Sequence, residues 1–473
     1  MKAYLFTLKG EYLMAGNFVN EYKQKLVSAE EAVKVVQSGD WVAFGHFAMF
    51  PKLLDAALAK RKDELREVKI RSVCPMYTVE CAMVDPKYEH FIYHSGFLSP
   101  FDRKLGDRCF YLSGFYADGP AKVRQGLAGK IRAVFLKTTR MDSHGFFNFG
   151  TSASYMRALC EWADCVVVEA NDKAPYCLGG EQECVHISEV THIVESDYPM
   201  MIFPQDIPAT DVQKNIATYI VEEMVDGCTL QLGIGGLANY IGKMIADSDL
   251  KDLGVQSEMM CDAFVDLHEK GKITGRYKPK DKGKMVYTFA LGSQRLYDFL
   301  DRNPACAIYP VDLCNSPEVI ALNYKQISIN NALMVDIGGQ VSSESVDFTQ
   351  ISGTGGQFDF TYGAWRAAGG KSFIVLPSTR KLKDGRTVSR IVPFLGQGNF
   401  VTLPRSISMY IVTEYGKVNI MSKSTWQRAE ELISIAHPDF RDELIKEAEK
   451  QKVWIRSNRI GGTSYVSGQA KTS

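Results

Sequence analysis

Four short apolar runs constrain this chain more than any other feature: Ala133-Val134-Phe135-Leu136, Cys165-Val166-Val167-Val168, Phe373-Ile374-Val375-Leu376 and Tyr410-Ile411-Val412. Each is too short for a buried helix, so each reads as a strand buried on both faces. Helical patterns fill the intervals, at 30–37, 52–59, 215–225 and 441–451. Buried strands alternating with helices predict an α/β fold with largely parallel sheets. At 473 residues the chain exceeds the usual size of one domain, so two are expected.

The order of signals also repeats. Ser28-Ala29-Glu30-Glu31 reads as a capping box opening a helix that ends at Gly39, followed by the strand Trp41-Val42-Ala43-Phe44 and then Gly45-His46. Thr210-Asp211-Val212-Gln213 opens a second helix, ending at Gly227 and followed by Thr229-Leu230-Gln231-Leu232 and Gly233. This is the signature of two similar open α/β halves, although any α/β unit shows the same order. The junction is expected between Pro204 and Pro208, with a ligand cleft between the halves. The division is an extension over 1–27, a first domain over 28–207, a second over 208–460 and a mobile tail over 461–473.

Composition excludes more than it assigns. Lys plus Arg equals Asp plus Glu at 55 each, which argues against a nucleic-acid binder or a membrane-surface binder. The eleven cysteines are odd in number and form no Cys-x-x-Cys pair, so neither a zinc ribbon nor a disulfide framework is expected. Lys9 and Glu11 interrupt the apolar start, which makes a poor signal peptide, and no apolar stretch reaches the ~18 residues a spanning helix needs. Free thiols fit a cytoplasmic setting.

Three segments carry candidate chemistry. Gly233-Ile234-Gly235-Gly236-Leu237 lies between a predicted strand and a predicted helix over 240–246. It either lets backbone amides approach an anion or makes a plain strand-to-helix turn. It is no dinucleotide fingerprint, because the third glycine falls too early and no ribose-binding acid follows. Ser257-Glu258-Met259-Met260-Cys261-Asp262 sets a carboxylate among apolar residues, as a surface residue in apolar company or as a desolvated reactive group. Ser352-Gly353-Thr354-Gly355-Gly356-Gln357-Phe358-Asp359-Phe360 is the densest glycine cluster and leads into Gly369-Gly370-Lys371. It is suited to presenting amides to an oxyanion, and its aromatic residues speak against a merely flexible connection. His144, His186 and His192 with Ser188 lack the Gly-x-Ser-x-Gly elbow of a hydrolase. His437 reads as a helix-entry residue and Cys261 as a small packed apolar residue.

With these residues in view, the chain resembles the acetyl-CoA hydrolase/transferase family of CoA-transferases, and within it the members that exchange CoA between butyryl-CoA and acetate. The resemblance rests on Leu232 to Gly236, Ser257-Glu258-Met259, Ile329-Asn330-Asn331-Ala332, Gly353 to Phe360, Val412-Thr413-Glu414-Tyr415-Gly416 and Ile433 to Arg441, and it loosens between Phe44 and Arg132. It implies a CoA-transferase fold, ping-pong transfer, and Glu258 as the nucleophile carrying CoA as a glutamyl thioester. It implies that Gly233, Ile234, Gly235, Gly236 and Leu237 form a CoA-binding loop, with the Leu237 amide serving one oxyanion. Asn330 and the Gly356 amide would serve the other, Ser352 and Gly353 would lie against CoA, and Glu414 would stand near the site. It further implies acyl-CoA and a short-chain carboxylate as partners, CoA as substrate, no other cofactor, no metal, and a homo-oligomer.

Two departures matter. Family members often carry a lysine just before the Gly-Gly-Lys, suited to a CoA phosphate; this chain has Ala368, leaving Arg366 or Lys371 as substitutes. Phe203-Pro204-Gln205-Asp206 replaces a glycine-rich segment, and with Phe44, His46, Phe47 and Phe50 it is expected to reshape the acyl pocket. The rival activities are transfer to 4-hydroxybutyrate, acyl-CoA hydrolysis through the same thioester, a non-catalytic CoA sensor and, last, a glycine-loop oxidoreductase.

Overall fold

The computed structural model of the chain describes residues 16–203, 208–233, 235–457 and 460. The four apolar runs fall in two sheets. The first comprises β1 (Trp41–Phe44), β2 (Val68–Ser72), β3 (Phe91–Ser95), β4 (Phe110–Tyr111), β5 (Ile131–Thr138), β6 (Cys165–Asn171) and β7 (His192–Ser196). Their spatial order is β4-β3-β2-β1-β5-β6-β7, and every neighbouring pair is parallel.

The second sheet comprises β8 (Thr229–Gln231), β9 (Gly254–Gln256), β10 (Met285–Tyr287), β11 (Cys306–Ile308), β12 (Gln326–Asn331), β13 (Lys371–Val375), β14 (Tyr410–Thr413) and β15 (Gly416–Asn419). The order is β11-β10-β9-β8-β12-β13-β14-β15, parallel except for the closing β14–β15 hairpin. Without β15 the two orders are the same, so the repeated caps and glycines mark two copies of one sheet topology. Each order reverses at one place, between β1 and β5 and between β8 and β12. Open parallel sheets bind ligands beyond the carboxyl ends of the strands at such a reversal.

The helices depart from expectation where local chemistry opposes them. The Thr210 box forms in full, Gln213 N–H donating to Thr210 Oγ1 at 3.3 Å and Thr210 N–H to Gln213 Oε1 at 2.9 Å, and the helix Asp211–Val221 stops six residues before Gly227. At Ser28 only half a box exists: Ser28 Oγ accepts from Glu31 N–H, and the helix is Ala29–Ala32 followed by a tighter turn over Val33–Val35. The β-branched Val33, Val35 and Val36 crowd a helical backbone and end it early. The helix after β8 starts earlier than expected, at Gly236, and runs to Asp247. The 204–207 junction, Ile234 and the 461–473 tail lie outside the described residues.

One apolar core runs through both halves, from Ala43, Phe47 and Phe147 to Leu232, Met259 and Phe289. Separate clusters cover the far face of each sheet. The halves also share backbone hydrogen bonds: Ala153 N–H reaches Thr288 O at 3.1 Å and Ala290 N–H reaches Thr151 O at 2.8 Å. Thr288 N–H in turn donates to Glu258 O at 3.0 Å, so this seam leads directly to the candidate carboxylate. All eleven cysteines are free.

Candidate active site

A cavity of about 340 Å³ lies at the carboxyl ends of the strands where both sheets reverse. The second half contributes Gln231, Leu232 and Gly233 beyond β8, Glu258 and Met259 beyond β9, and Ile329 to Asn331 at the end of β12. The first half contributes Phe47, Val73, Cys74, Phe97 and Tyr116, along with the cations Arg71 and Lys122.

Glu258 occupies the turn after β9, where the chain leaves the sheet before pairing again as Met259–Met260 against Phe289–Ala290. Its backbone is pinned on several sides. Ser257 Oγ donates to Leu232 O at 3.2 Å and to Met259 O at 2.7 Å, and the Cys314 thiol donates to Ser257 O at 3.1 Å. The carboxylate accepts from Asn315 Nδ2 at 2.6 Å and from the Gly356 amide. Burial pushes the Glu258 carboxyl up to about 7, with the Asn315 and Gly356 hydrogen bonds acting in the opposite sense. A half-buried carboxylate held by two donors in a cavity is suited to nucleophilic chemistry.

Gly356 has no room for a side chain: a Cβ there would overlap Glu258 Oε2 and Asn315 Nδ2. Next to it, Asp359 is buried and hydrogen-bonded to the Ala117 amide at 3.2 Å and to Asn315. Burial first, and then the Glu258 charge, hold the Asp359 carboxyl well above its ordinary range. The glycine cluster that carries Gly356 docks on the first half. Thr354 N–H donates to Tyr111 OH at 2.9 Å, Tyr116 N–H donates to Gly355 O at 3.3 Å, and a Cβ on Gly353 would meet Gly96 O and the Tyr111 ring.

The structure brings together some of the expected residues and not others. Glu258, Gly233, Asn330 and the Gly356 loop converge on the cavity. Asn330 Nδ2 donates to Ser328 Oγ at 2.9 Å and to Gln231 Oε1 at 3.4 Å. Gly235, with φ of +100°, caps the helix that begins at Gly236, and Leu237 is buried in its first turn; these three do not line the cavity. Ser352 Oγ donates to Ser343 O at 3.0 Å and also stands outside it. Glu414 accepts from Ser378 N–H at 2.8 Å and Ser378 Oγ at 2.6 Å, holding the loop after β13.

Lys371 does not line the cavity. It begins β13, and at ~3.3 Å per residue it lies about 13 Å from the end that faces the cavity. There it pairs with Glu223 at 2.6 Å. Arg366 is engaged with Glu318 at 3.6 Å and with the Tyr362 ring. The cations lining the cavity come instead from the first half, as Arg71 and Lys122.

Of the four residues expected to shape the acyl end, only Phe47 lines the cavity. It is stacked on Phe289 with centroids 3.7 Å apart and has φ of 54°, which places its ring against the other half. Phe44 and Phe50 pack on the opposite face of the first sheet, and His46 is buried against Ser154 Oγ at 2.8 Å. His186 Nδ1 meets Ser188 Oγ at 2.8 Å within one capping turn, not in a triad. His437 caps the helix Pro438–Lys450, and Cys261 is fully buried with its thiol pushed up to about 12 by burial. Sequence reading missed Asn315, Arg71 and Lys122. Asn315 precedes Ser316-Pro317, which signals only a helix start.

Paired open α/β sheets with a half-buried carboxylate at their shared reversal point define the cavity as a candidate active site. The chain belongs to the acetyl-CoA hydrolase/transferase family, matching its N-terminal domain over residues 13–204 and its C-terminal domain over 292–448. It is 48% identical over 446 residues to a butyryl-CoA:acetate CoA-transferase of Anaerostipes caccae, covering 94% of this chain and 100% of that protein. Its structure is similar to RipA of Yersinia pestis (TM-score 0.82, 32% identity, 92% of this chain and 100% of that one). It is also similar to a 4-hydroxybutyrate CoA-transferase of Porphyromonas gingivalis (TM-score 0.75, 32% identity, the same coverage).

Proposed function

We propose that this enzyme moves CoA between butyryl-CoA and acetate through a thioester on Glu258. The observation that carries the reading is the Glu258 carboxylate, desolvated in a cavity between the halves and held by Asn315 and the Gly356 amide. Its name-bearing support is the full-length relative that exchanges CoA between the same two acids.

The chemistry follows from the carboxylate. A Glu258 oxygen attacks the acyl carbonyl of butyryl-CoA, the C–S bond breaks, and CoA leaves as thiolate with the bonding electrons. The product is a mixed anhydride of Glu258 and butyrate. The thiolate then attacks Glu258 Cδ, the bond from Cδ to the bridging oxygen breaks, and butyrate departs, leaving glutamyl-CoA. Acetate repeats the steps in reverse and leaves as acetyl-CoA, which gives ping-pong kinetics. CoA is a substrate here, and the chain needs only its carboxylate and its hydrogen-bond donors. Phe47, Val73, Phe289 and Leu291 make the acyl end apolar, which suits a plain four-carbon chain better than a hydroxylated one. Arg71 and Lys122 offer positive charge to the anionic ligand. In this reading the first domain, 28–207, supplies the cations and the Phe47 and Val73 side of the acyl wall, and the second, 208–460, supplies Phe289, Leu291 and the nucleophile. A cytoplasmic homo-oligomer is part of the same reading; no helix among the described residues is long and apolar enough to cross a membrane.

The test is mass spectrometry of enzyme incubated with butyryl-CoA without acceptor. CoA should be attached to the peptide containing Glu258. An unmodified peptide in enzyme that is turning over would overturn the reading. Adding butyrate and 4-hydroxybutyrate as competing acceptors should favour butyrate.

A further inference from the structure

We propose that Arg71, with Lys122 beside it, is a binding site for the free acid: it holds the carboxylate that leaves Glu258 and the one that takes its place. This deepens the glutamyl-CoA reading and rests on it.

Arg71 stands on β2 two residues before Val73, so the two side chains share a face of the first sheet, and both line the cavity. Its guanidinium donates to Ala128 O at 3.3 Å and to the Tyr155 hydroxyl. A guanidinium carries five N–H donors, so most of them remain for a ligand. Among the described residues no carboxylate pairs with this half-buried side chain. A partly desolvated charge without a counter-ion is costly until an anion meets it.

Lys122 supplies the second charge. Its acidic neighbour Asp118, one helical turn away, is 3.8 Å from it and half-exposed, which makes a loose pair of little worth. A Cβ on Gly114 would overlap Lys122 Nζ, so the glycine leaves room for the ammonium at the cavity wall. Neither cation is engaged with the nucleophile: burial, Asn315 and the Gly356 amide set the Glu258 carboxyl.

Place and timing identify the anion. The acyl group of butyryl-CoA is uncharged and gives the cations nothing to pair with. The acid becomes an anion when the Cδ–O bond of the mixed anhydride breaks and butyrate takes the electron pair. CoA stays on Glu258 while butyrate leaves and acetate enters, so the acids exchange past a bound CoA. A CoA phosphate would be the other anion, but the whole pantetheine arm separates it from the sulfur. Arg71 shares one cavity of about 340 Å³ with Glu258, so an anion on it sits in the chamber where the carbonyl reacts. The lining beside Lys122 includes the exposed Ser113 and Phe115, which gives the acids access from solvent. Positive charge on such a wall raises the local concentration of carboxylate anions.

The experiment uses single turnovers of wild type, Arg71→Gln, Arg71→Lys and Lys122→Gln. Free enzyme is mixed with butyryl-CoA, and enzyme already carrying CoA on Glu258, freed of butyrate, is mixed with acetate; mass spectrometry follows the CoA adduct. In Arg71→Gln the half-saturating acetate concentration should rise about 10–10²-fold, as for lost hydrogen bonds to a charged group, while that of butyryl-CoA stays within about twofold. Arg71→Lys should recover part of the loss, because it keeps the charge without the fork. Lys122→Gln should raise the acetate value about three- to fivefold. A purely structural role would lower the fraction of enzyme that forms the adduct and leave both half-saturation values in place. With the adduct formed, an acetate value that moves less than about threefold in Arg71→Gln overturns the inference and leaves the transfer reading standing. So does a butyryl-CoA value that rises as far as the acetate value, which would give the cations to CoA. If Arg71→Gln does not fold, Lys122→Gln decides by the same two values. If wild type forms no adduct on Glu258, the glutamyl-CoA reading fails, and the inference with it.

Discussion

Replacing Glu258 by Gln should inactivate the enzyme and, at mildly alkaline pH, stabilise it. Burial raises the Glu258 carboxyl from an ordinary 4.5 to about 7. At ~1.4 kcal/mol per pH unit, this interval corresponds to ~3 kcal/mol by which folding disfavours the charged form. A carboxyl raised on folding binds its proton more tightly in the native state than in the unfolded chain. The penalty is therefore absent below about 4.5, grows as pH rises, and is complete above about 7. Gln keeps an oxygen for Asn315 and the Gly356 amide but cannot ionise. At about pH 8 the variant should melt a few degrees above wild type, since ~3 kcal/mol is diluted over the large unfolding entropy of a long chain. The gap should close as the pH falls toward 5. Thermal unfolding of both proteins across this range, with butyryl-CoA:acetate exchange assayed in parallel, is the measurement. A variant no more stable than wild type near pH 8, or a gap that widens toward acid, would refute the reasoning. The expected trade of stability for reactivity is common where a site holds a desolvated charge.

Gly356→Ala tests space alone, because φ of −94° suits alanine. Its Cβ would displace the Glu258 carboxylate and Asn315, so kcat should fall by at least ~10²-fold with unfolding temperature nearly unchanged; wild-type turnover would show that the close approach is dispensable. Lys371→Ala should leave KM for butyryl-CoA within about twofold, because the lysine serves Glu223 at the far end of β13, and Glu223 keeps Lys417 at 2.8 Å. A large rise in KM would restore Lys371 to the ligand site.

Much of this was legible before any coordinates. The runs at 133–136, 165–168, 373–376 and 410–412 lie in strands of parallel sheets because a strand buried on both faces must be apolar throughout. The Thr210 box forms because its two partners are three residues apart on one chain. Where β-branched side chains opposed a cap, as after Ser28, the cap was misread as a full helical start. The site was harder to read. Glu258 stood out as a carboxylate among apolar residues, whereas Asn315 carried no local signal and the Gly-Gly-Lys motif did not reveal that Lys371 pairs with Glu223.

The sequence by itself determined the class of fold, its repeat and the family, because periodicity, caps and motifs are local properties that a chain displays along its length. Only the tertiary fold sets which donors reach the carboxylate, which cations line the cavity and that Phe47, rather than Phe44 or Phe50, borders it. Asn315 lies fifty-seven residues from Glu258 along the chain and 2.6 Å from it in space. Lys371 stands four residues from the cavity end of its own strand, yet its charge points elsewhere. Contacts of that kind depend on where parallel strands begin and end relative to one another, and the order of residues along the chain does not state it.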